Sequence, residues 1–342
     1  MNKNEFELKL SDYYQEQSGL LEPEIKLEGL IDKGWESEIY IYTLTYGPKT
    51  DRTSVKRALR LLTGADFAGA KGEYRTLSLL RKAGYPVPQV YELGEPGQTF
   101  ERPFIIMQYI EPGERAYRLP QTTDEDQQPL RAFIALFRQL HTLDWRPFVE
   151  NPDEIDPPDQ PFYHFDRQLE TFSDYFSRAS FTALDSAMVW LAEQRERTAC
   201  EGASVVHYDF HPDNILEDET GKLFVIDWTS AEISDYRFDL AWTLTLALAY
   251  GGSLRRKMIL KEYERQLGEV VPELDAFEAA AIVRRIGFVM LSLGQGADKM
   301  GMRPEAAEAM RKDKEPLSRI FTRLKEITDL TLPEVQNFLD TL

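Results

Sequence analysis

The chain has 342 residues, of which 42% are hydrophobic and 12% aromatic, and this size and composition allow two packed lobes and exclude a disordered chain. The formal net charge is −18 at pH 7, and because no basic stripe offsets it, we expect no nucleic-acid partner. The lack of a long apolar run, the polar N-terminus and the single cysteine, Cys200, predict a cytoplasmic protein without a membrane span, a signal peptide or a disulfide.

The first part of the chain is predicted to be rich in β-strands. Alternation around Ile39 and Ile41 and the apolar-rich segment ALRLL indicate two strands. A helical pattern follows, and we predict that Gly84 and Pro86 terminate this helix. The predicted elements are a polar, acidic helix in residues 1–22, strands at 37–45, 54–62, 88–93 and 104–110, and a helix at 67–83.

From residue 111 onward the sequence is mostly helical. Helices are predicted at residues 166–178, 185–196 and 238–342, with a short β segment at 205–227. The fold class is therefore α+β, with a β-rich lobe at residues 1–110 and a helical lobe at residues 111–342; no oligomeric state is predicted. One buried helical stripe is predicted from the spacing of Leu130, Phe133, Ile134, Phe137, Leu140 and His141.

The most informative segment is VVHYDFHPDNILEDETGKLFVIDW. It contains His207-Tyr208-Asp209 and then Asn214, the pattern H-x-D-x-x-x-x-N, and it ends at Asp227 after an apolar run. A hairpin that turns at Gly221 would place Asn214 opposite Asp227, with Cβ atoms about 4.5–5.5 Å apart. Because Mg²⁺ prefers a few hard oxygen ligands and takes the rest from phosphates, these two side chains are the predicted magnesium ligands.

The position of Asp209 on the loop before this hairpin predicts a second role. Phosphoryl transfer needs a carboxylate that takes the proton of the acceptor hydroxyl, and Asp209 is that candidate base. His207 is predicted to brace the loop by hydrogen bonding. A rival reading makes His207, Asp209 and His211 a zinc-ligand cluster, although Pro212 disfavours a helix that would carry both histidines.

The segments HYDFHPDNIL, FVIDW and DYRFDLAWT together resemble the aminoglycoside phosphotransferase/choline kinase-like family. The resemblance implies a protein-kinase-like fold, ATP as the usual donor and magnesium. It assigns Asp209 as catalytic base, Asn214 and Asp227 as metal ligands and Asp239 as the aspartate that supports the catalytic loop. Tyr208 departs from the glycine that is frequent in the family.

The resemblance also implies a cation on the third strand that binds the ATP phosphates. Arg60 is the candidate, and Glu73 is its expected partner, because Glu73 shares a helix face with Leu77 and Leu80 and an unpaired carboxylate there would be costly. Lys56 and Lys71 are the rival cations.

Further nucleotide contacts follow from the same resemblance. Gly34 and Ser37 are candidate phosphate-loop positions, although the loop GWESE lacks a G-x-G-x-x-G pattern. FIIMQYIEPG resembles the family's interlobe hinge, so backbone groups of Gln108 and Ile110 are expected to meet the adenine.

The acceptor is expected to be a small molecule with a hydroxyl group. Tyr208 replaces the arginine of the protein-kinase H-R-D motif, and no A-P-E segment follows. The excess acidic charge and the nearness of Glu232 and Asp235 to Asp227 suggest an acceptor that carries an amine, such as an aminoglycoside or amino-alcohol; solubility is the plainer explanation of the charge. The alternative function is a catalytically silent nucleotide-binding module.

Overall fold

The computed structural model describes residues 2–31, 37–62, 66–113, 116–156, 159–295, 311–312 and 314–342. The chain divides into two compact units, Met1–Ala116 with Leu216–Thr229, and Tyr117–Ile215 with Ser230–Leu342. The lobe boundary expected after residue 110 stays a prediction; the first unit continues to Ala116 and also includes Leu216–Thr229. Within the described residues, no helix has both the length and the apolar character that crossing a bilayer requires.

The first unit is built on a five-stranded antiparallel sheet with the strand order β1-β2-β3-β5-β4. Two helices accompany it, and both were expected from the sequence; of the strands, β1 was not expected. The bounds are α1 Lys3–Glu16, β1 Glu24–Ile31, β2 Ser37–Tyr46, β3 Thr53–Leu62, α2 Phe67–Lys82, β4 Val90–Gly94 and β5 Phe104–Gln108.

The two faces of this sheet have different neighbours. Tyr40, Tyr42 and Leu44 alternate along β2 and are buried in the same cluster as the apolar side of α1, where the rings of Phe6 and Tyr40 stack at 4.6 Å between centroids. In the register of β2 with β3, Ile39 lies opposite Arg60. Because side chains alternate along a strand, Arg60 points to the face away from α1.

The segment Leu216–Thr229 joins the first unit through backbone bonds. Gly113 N donates to Glu217 O at 2.8 Å, and Val225 N donates to Pro86 O at 2.8 Å. The segment carries most of the hairpin of β7 Ile215–Glu217 and β8 Leu223–Val225, which turns at Gly221 with a positive φ of 83°, as predicted.

The second unit is mainly helical, as expected, and its core lies between its longer helices. All six side chains of the predicted stripe on α3 are buried. The helix α6 is interrupted at Gly252, whose φ of 76° and ψ of −178° are not helical. The bounds are α3 Gln128–His141, α4 Tyr163–Arg178, α5 Asp185–Glu193, β6 Ala203–Val206, β9 Glu232–Asp235, α6 Tyr236–Leu267, α7 Leu274–Gln295, α8 Lys314–Thr328 and α9 Pro333–Thr341.

The contribution of α1 to the first unit can be measured. Phe6 is 0% exposed, whereas Leu8 on the same helix is 65% exposed. Phe6→Ala should lower the free energy of unfolding by about 3–5 kcal/mol, through lost burial and a new cavity. Leu8→Ala is the matched control and should change it by about 0.5 kcal/mol or less. Equal effects of the two substitutions in urea unfolding would contradict the docking of α1.

A buried histidine in the second unit makes stability depend on pH. His164 is 2% exposed, and neither ring nitrogen has a hydrogen-bond partner among the described residues. Burial, only partly offset by Asp235, lowers the pKa of His164 from 6.5 to about 4. Between about pH 4 and pH 6.5, the unfolded chain therefore binds a proton at His164 that the folded protein does not bind.

Stability from this group is fully present above pH 6.5 and is lost as the pH falls towards the folded-state pKa of about 4, by up to ~1.4 kcal/mol per pH unit. His164→Leu should flatten the dependence of the unfolding free energy on pH in that window by about one proton. Urea titrations at several pH values measure it, and identical slopes for both proteins would refute the assignment.

Candidate active site

The segment from His207 to Asn214 is held by the carboxylate of Asp239, in the first turn of α6. Asp239 is fully buried and accepts hydrogen bonds from the backbone N–H groups of His207 at 2.7 Å and Tyr208 at 2.8 Å. His141 Nε2 lies 3.1 Å from the same carboxylate. Because these backbone groups lie beside a buried charge, the start of the loop is fixed relative to α3 and α6.

Tyr208 and Asp227 have backbone conformations that favour glycine. Their φ angles are 58° and 64°, and non-glycine residues in the left-handed region are uncommon and cost free energy. The conformation at position 208 explains why glycine suits it. The Tyr208 hydroxyl lies 3.1 Å from Gln168 Oε1 and 3.0 Å from Ser234 Oγ, and these hydrogen bonds offset part of the free-energy cost of the backbone conformation.

The Asp209 carboxylate is oriented at both of its oxygens. Trp242 Nε1 donates to Oδ1 at 3.1 Å, and Asn214 Nδ2 donates to Oδ2 at 3.3 Å. His211 Nε2 also lies 3.3 Å from Oδ2. Burial opposes the charge, but the hydrogen bond and charge of His211, with the Trp242 bond, lower the pKa of Asp209 to about 2. The group is therefore a carboxylate at neutral pH.

Trp242 was not anticipated from the sequence. It lies three residues after Asp239, so both side chains project from one face of α6 towards the loop. The segment DYRFDLAWT contained the signal, since a tryptophan one helical turn after a buried aspartate can reach what that aspartate holds.

The two candidate metal ligands belong to different units. Asn214 uses its amide nitrogen, which donates to Asp209 O at 2.9 Å, while its side-chain oxygen accepts no bond among the described residues. Asp227 is 42% exposed, and its Oδ1 lies 3.2 Å from both Thr229 Oγ1 and Arg60 Nη2. Each residue thus keeps one oxygen unused within the described chain.

The zinc alternative finds no support. Within the described part of the chain, no group of three or more His, Cys, Asp or Glu side chains is placed to hold a metal ion. His207 is fully buried, and its Nδ1 accepts the Asp209 N–H at 3.2 Å. This bond links the His207 ring to the backbone of the loop, and the bracing role of His207 stays a prediction.

Arg60 and Glu73 form a buried ion pair in the first unit. Arg60 Nη1 lies 2.5 Å from Glu73 Oε1, with side chains only 10% and 2% exposed, and Arg60 Nε donates to Ser37 Oγ at 3.1 Å. The rival cations differ: Lys56 pairs with Glu111 at 3.0 Å in an exposed position, and Lys71 is exposed. Gly34, the other phosphate-loop candidate, lies outside the described residues.

The two hinge candidates lie at the end of β5. Gln108 N donates to Gln89 O at 2.7 Å, so this amide hydrogen is already engaged. Ile110 follows the strand with its side chain buried. The adenine contacts of Gln108 and Ile110 stay predictions.

The two acidic residues suggested for the acceptor have different surroundings. Asp235 is buried; its carboxylate accepts three hydrogen bonds from the Arg237 guanidinium and also accepts the Arg237 N–H. Glu232, at the other end of β9, lines a pocket of about 340 Å³ within the second unit. Burial raises the pKa of Glu232, and Arg167 and Arg284 partly offset this. Of the two, Glu232 is the one that a ligand can reach.

A sequence profile of the phosphotransferase enzyme family matches residues 30–279. A match of 26% identity over 187 residues links the chain to acyl-CoA dehydrogenase family member 10 of Mus musculus. It covers 52% of this chain but only 16% of the mouse protein, so the chain resembles a small part of that protein.

Solved structures share the fold. A candidate aminoglycoside phosphotransferase of Ralstonia eutropha JMP134 superposes with a TM-score of 0.64 at 18% identity, over 93% of this chain and 98% of that one. Macrolide 2'-phosphotransferase type I gives a TM-score of 0.55 at 19% identity, over 89% and 94%. A thermostable mutant of APH(4)-Ia, in a ternary complex with ADP and hygromycin B, gives 0.53 at 17%, over 94% and 98%. The predicted α+β, protein-kinase-like fold is thereby confirmed.

The Arg60–Glu73 pair can be tested by a double-mutant cycle. Arg60→Ala should lower the unfolding free energy by about 3–5 kcal/mol, because it removes the guanidinium that faces the buried Glu73 carboxylate. Glu73→Ala should cost less, because Arg60 keeps Asp227 at 3.2 Å. The double variant should lose clearly less than the sum. Lys56→Ala, which removes an exposed pair, is the control and should have little effect on the unfolding free energy. Additive losses in denaturant unfolding would rule out a coupled pair.

Proposed function

The chain belongs to the phosphotransferase enzyme family, and from that premise we propose that it is an ATP-dependent kinase that transfers the γ-phosphate to a hydroxyl of a small molecule. The observation that carries the proposal is the Asp209 carboxylate, fixed by Trp242, Asn214 and His211 on a loop that Asp239 holds. A general base must be ionised and oriented before the acceptor arrives, and this carboxylate meets both conditions.

In the proposed reaction, the acceptor oxygen forms a bond to the γ-phosphorus as the bond to the bridging oxygen of ADP breaks. The hydroxyl proton passes to Asp209, and ADP leaves. Little covalent chemistry is asked of the protein, so positioning and charge stabilisation supply most of the acceleration. The fixed backbone at His207 and Tyr208 is suited to that task, because it holds Asp209 in one place.

Asn214 and Asp227 are the residues proposed to hold magnesium. The donor set suits the ion, since an amide oxygen and a carboxylate oxygen are hard ligands and each is unused by other groups of the described chain. When bound, the ion would neutralise the charge of the phosphates.

The first 110 residues are proposed as the nucleotide-binding lobe and residues 111–342 as the catalytic and acceptor-binding lobe. Arg60, held by Glu73, would bind the phosphates, and Gly34 and Ser37 would form part of the phosphate loop. Gln108 and Ile110 would meet the adenine. ATP as donor is supported by the ADP in the APH(4)-Ia complex, and the single cysteine suits the proposed cytoplasmic setting.

The acceptor is proposed to carry an amine, with Glu232 as its carboxylate. Hygromycin B in the APH(4)-Ia complex is a small-molecule precedent for this fold. Asp235 was suggested for the same role, but its carboxylate is taken up by Arg237, so we assign the amine to Glu232 alone.

Asp209→Asn provides the direct test. It should lower kcat by about 10²–10⁴-fold, because the amide cannot accept the proton, and leave the Kd for ATP within a few-fold of the wild type. Asp213→Asn, at a 95% exposed site on the same loop, removes the same charge and should have near-normal kcat. ADP release is measured with magnesium and a panel of amino-sugars, amino-alcohols, polyols and hydroxy acids.

Near-normal kcat in Asp209→Asn would overturn the base assignment. Tight ATP binding by the wild type, with no ADP release for any acceptor, would favour the silent nucleotide-binding module instead.

A further inference from the structure

The pocket that Glu232 lines lies wholly within the second unit and has a volume of about 340 Å³. Five aromatic side chains form most of its walls, and two charged side chains, Glu232 and Arg284, interrupt them. This composition, mostly apolar with a few polar groups, is typical of small-molecule sites, and the volume suits a compact ligand. The aromatic residues of the lining are Phe172, Tyr175, Phe176, Tyr208 and Phe288.

Arg284 is the unusual member of this pocket. Its guanidinium lies 4.2 Å from the ring centroid of Trp242 and 5.2 Å from that of Tyr208. Throughout the described ranges of the chain, no acceptor takes a hydrogen bond from it and no carboxylate pairs with it. Stacking on rings uses the faces of a guanidinium and leaves the edge with its N–H donors available.

The N–H donors of the Arg284 guanidinium therefore lack acceptors among the described residues. Burial lowers the pKa of Arg284, and electrostatic interactions with Tyr208, Asp209, Glu232 and Asp239 oppose the shift. Holding a guanidinium partly out of water without acceptors for its donors is costly. A ligand that brings two acceptor oxygens to the edge would satisfy it.

The nearby carboxylate does not fill that role. Glu232 Oε2 lies 3.7 Å from Arg167 Nη2, and it forms no ion pair with Arg284. The pocket lining thus carries one acidic and one basic side chain, which are not paired with each other. This lining differs from the wholly acidic surface that a polycationic ligand would prefer.

Trp242 connects Arg284 to the proposed chemistry. Its ring packs against the Arg284 guanidinium, and its indole N–H donates a hydrogen bond to Asp209 Oδ1 at 3.1 Å. A ligand bound at Arg284 therefore lies one side chain away from the proposed base.

We propose that this pocket is the acceptor site and that Arg284 binds a carboxylate of the acceptor through its N–H edge. The inference rests on the proposed kinase function and specifies its substrate class as a hydroxycarboxylate, with an amine near Glu232 where one is present. A single guanidinium beside a glutamate matches one negative charge better than the two of a phosphate ester, and arginine binds carboxylates through two parallel bonds.

The test uses the full chain with phenyllactate and its amide, phenyllactamide. The two share a hydroxyl and a phenyl ring and differ in the carboxylate charge. Binding is measured by isothermal titration calorimetry and by ligand-observed NMR, neither of which needs turnover. The wild type should bind the acid at least about tenfold more tightly than the amide, as expected for hydrogen bonds to a charged group.

Two variants test whether Arg284 causes the preference for the acid over the amide. Arg284→Met keeps the length of the side chain and should abolish the preference for the acid. Arg285→Met removes the same charge from the next position of α7, where the guanidinium bonds to Tyr250 Oη at 2.7 Å, and should retain it. The wild-type comparison of acid with amide stands by itself if Arg284→Met does not fold.

Equal binding of acid and amide, no binding of either, a preference that survives in Arg284→Met, or tighter binding of phenyl phosphate than of phenyllactate would each overturn the proposal. ADP release is scored separately. Acid-selective binding without ADP release for any acceptor would leave the carboxylate site in place and remove the kinase assignment. Phosphoryl transfer to neutral and acidic acceptors alike would support the kinase assignment and contradict the carboxylate site.

Discussion

The bond network of one buried carboxylate determines where the proposed catalytic loop lies. Asp239 accepts two consecutive backbone N–H groups, and His141 meets the same carboxylate from α3. Hydrogen bonds to a charged group are stronger than neutral ones, and each buried donor left without its acceptor would cost about 1–3 kcal/mol. The strained Tyr208 backbone and the orientation of Asp209 both depend on this anchor, because both follow directly from the position of the loop.

Much of the fold could be predicted because its signals are local. Alternation in β2 and β3, the helical stripe of α3 and the turn at Gly221 each depend on a few neighbouring residues. The sequence order also made Arg60 and Glu73 partners, since a carboxylate on a core-facing side of α2 needs a cation. The docking of α1 was missed, because its acidic surface residues hide the buried row of Phe6, Leu10, Tyr13 and Tyr14.

The features that could not be predicted depend on contacts between distant parts of the chain. Trp242 contacts Asp209 across 33 residues of sequence, and Arg284 reaches the same tryptophan from α7. In the sequence, Arg284 stands in the apolar run AAAIVRRIGFV, and a charge in such a run indicates either a surface position or a functional one. Net charge was an equally poor guide, because an excess of 18 acidic charges says nothing about which sign a single pocket presents.

The return of Leu216–Thr229 to the first unit affects how the protein is made. Backbone bonds from Val225 to Pro86 and from Gly113 to Glu217 complete that unit, and Trp228 packs its ring against Tyr85 at 5.7 Å between centroids. A ribosome must therefore synthesise about 110 further residues after Ala116 before the unit can close, which takes about 6–22 s at typical rates of translation. During that interval the apolar side of Tyr85 has no tryptophan to cover it, so the nascent chain exposes apolar surface at this position.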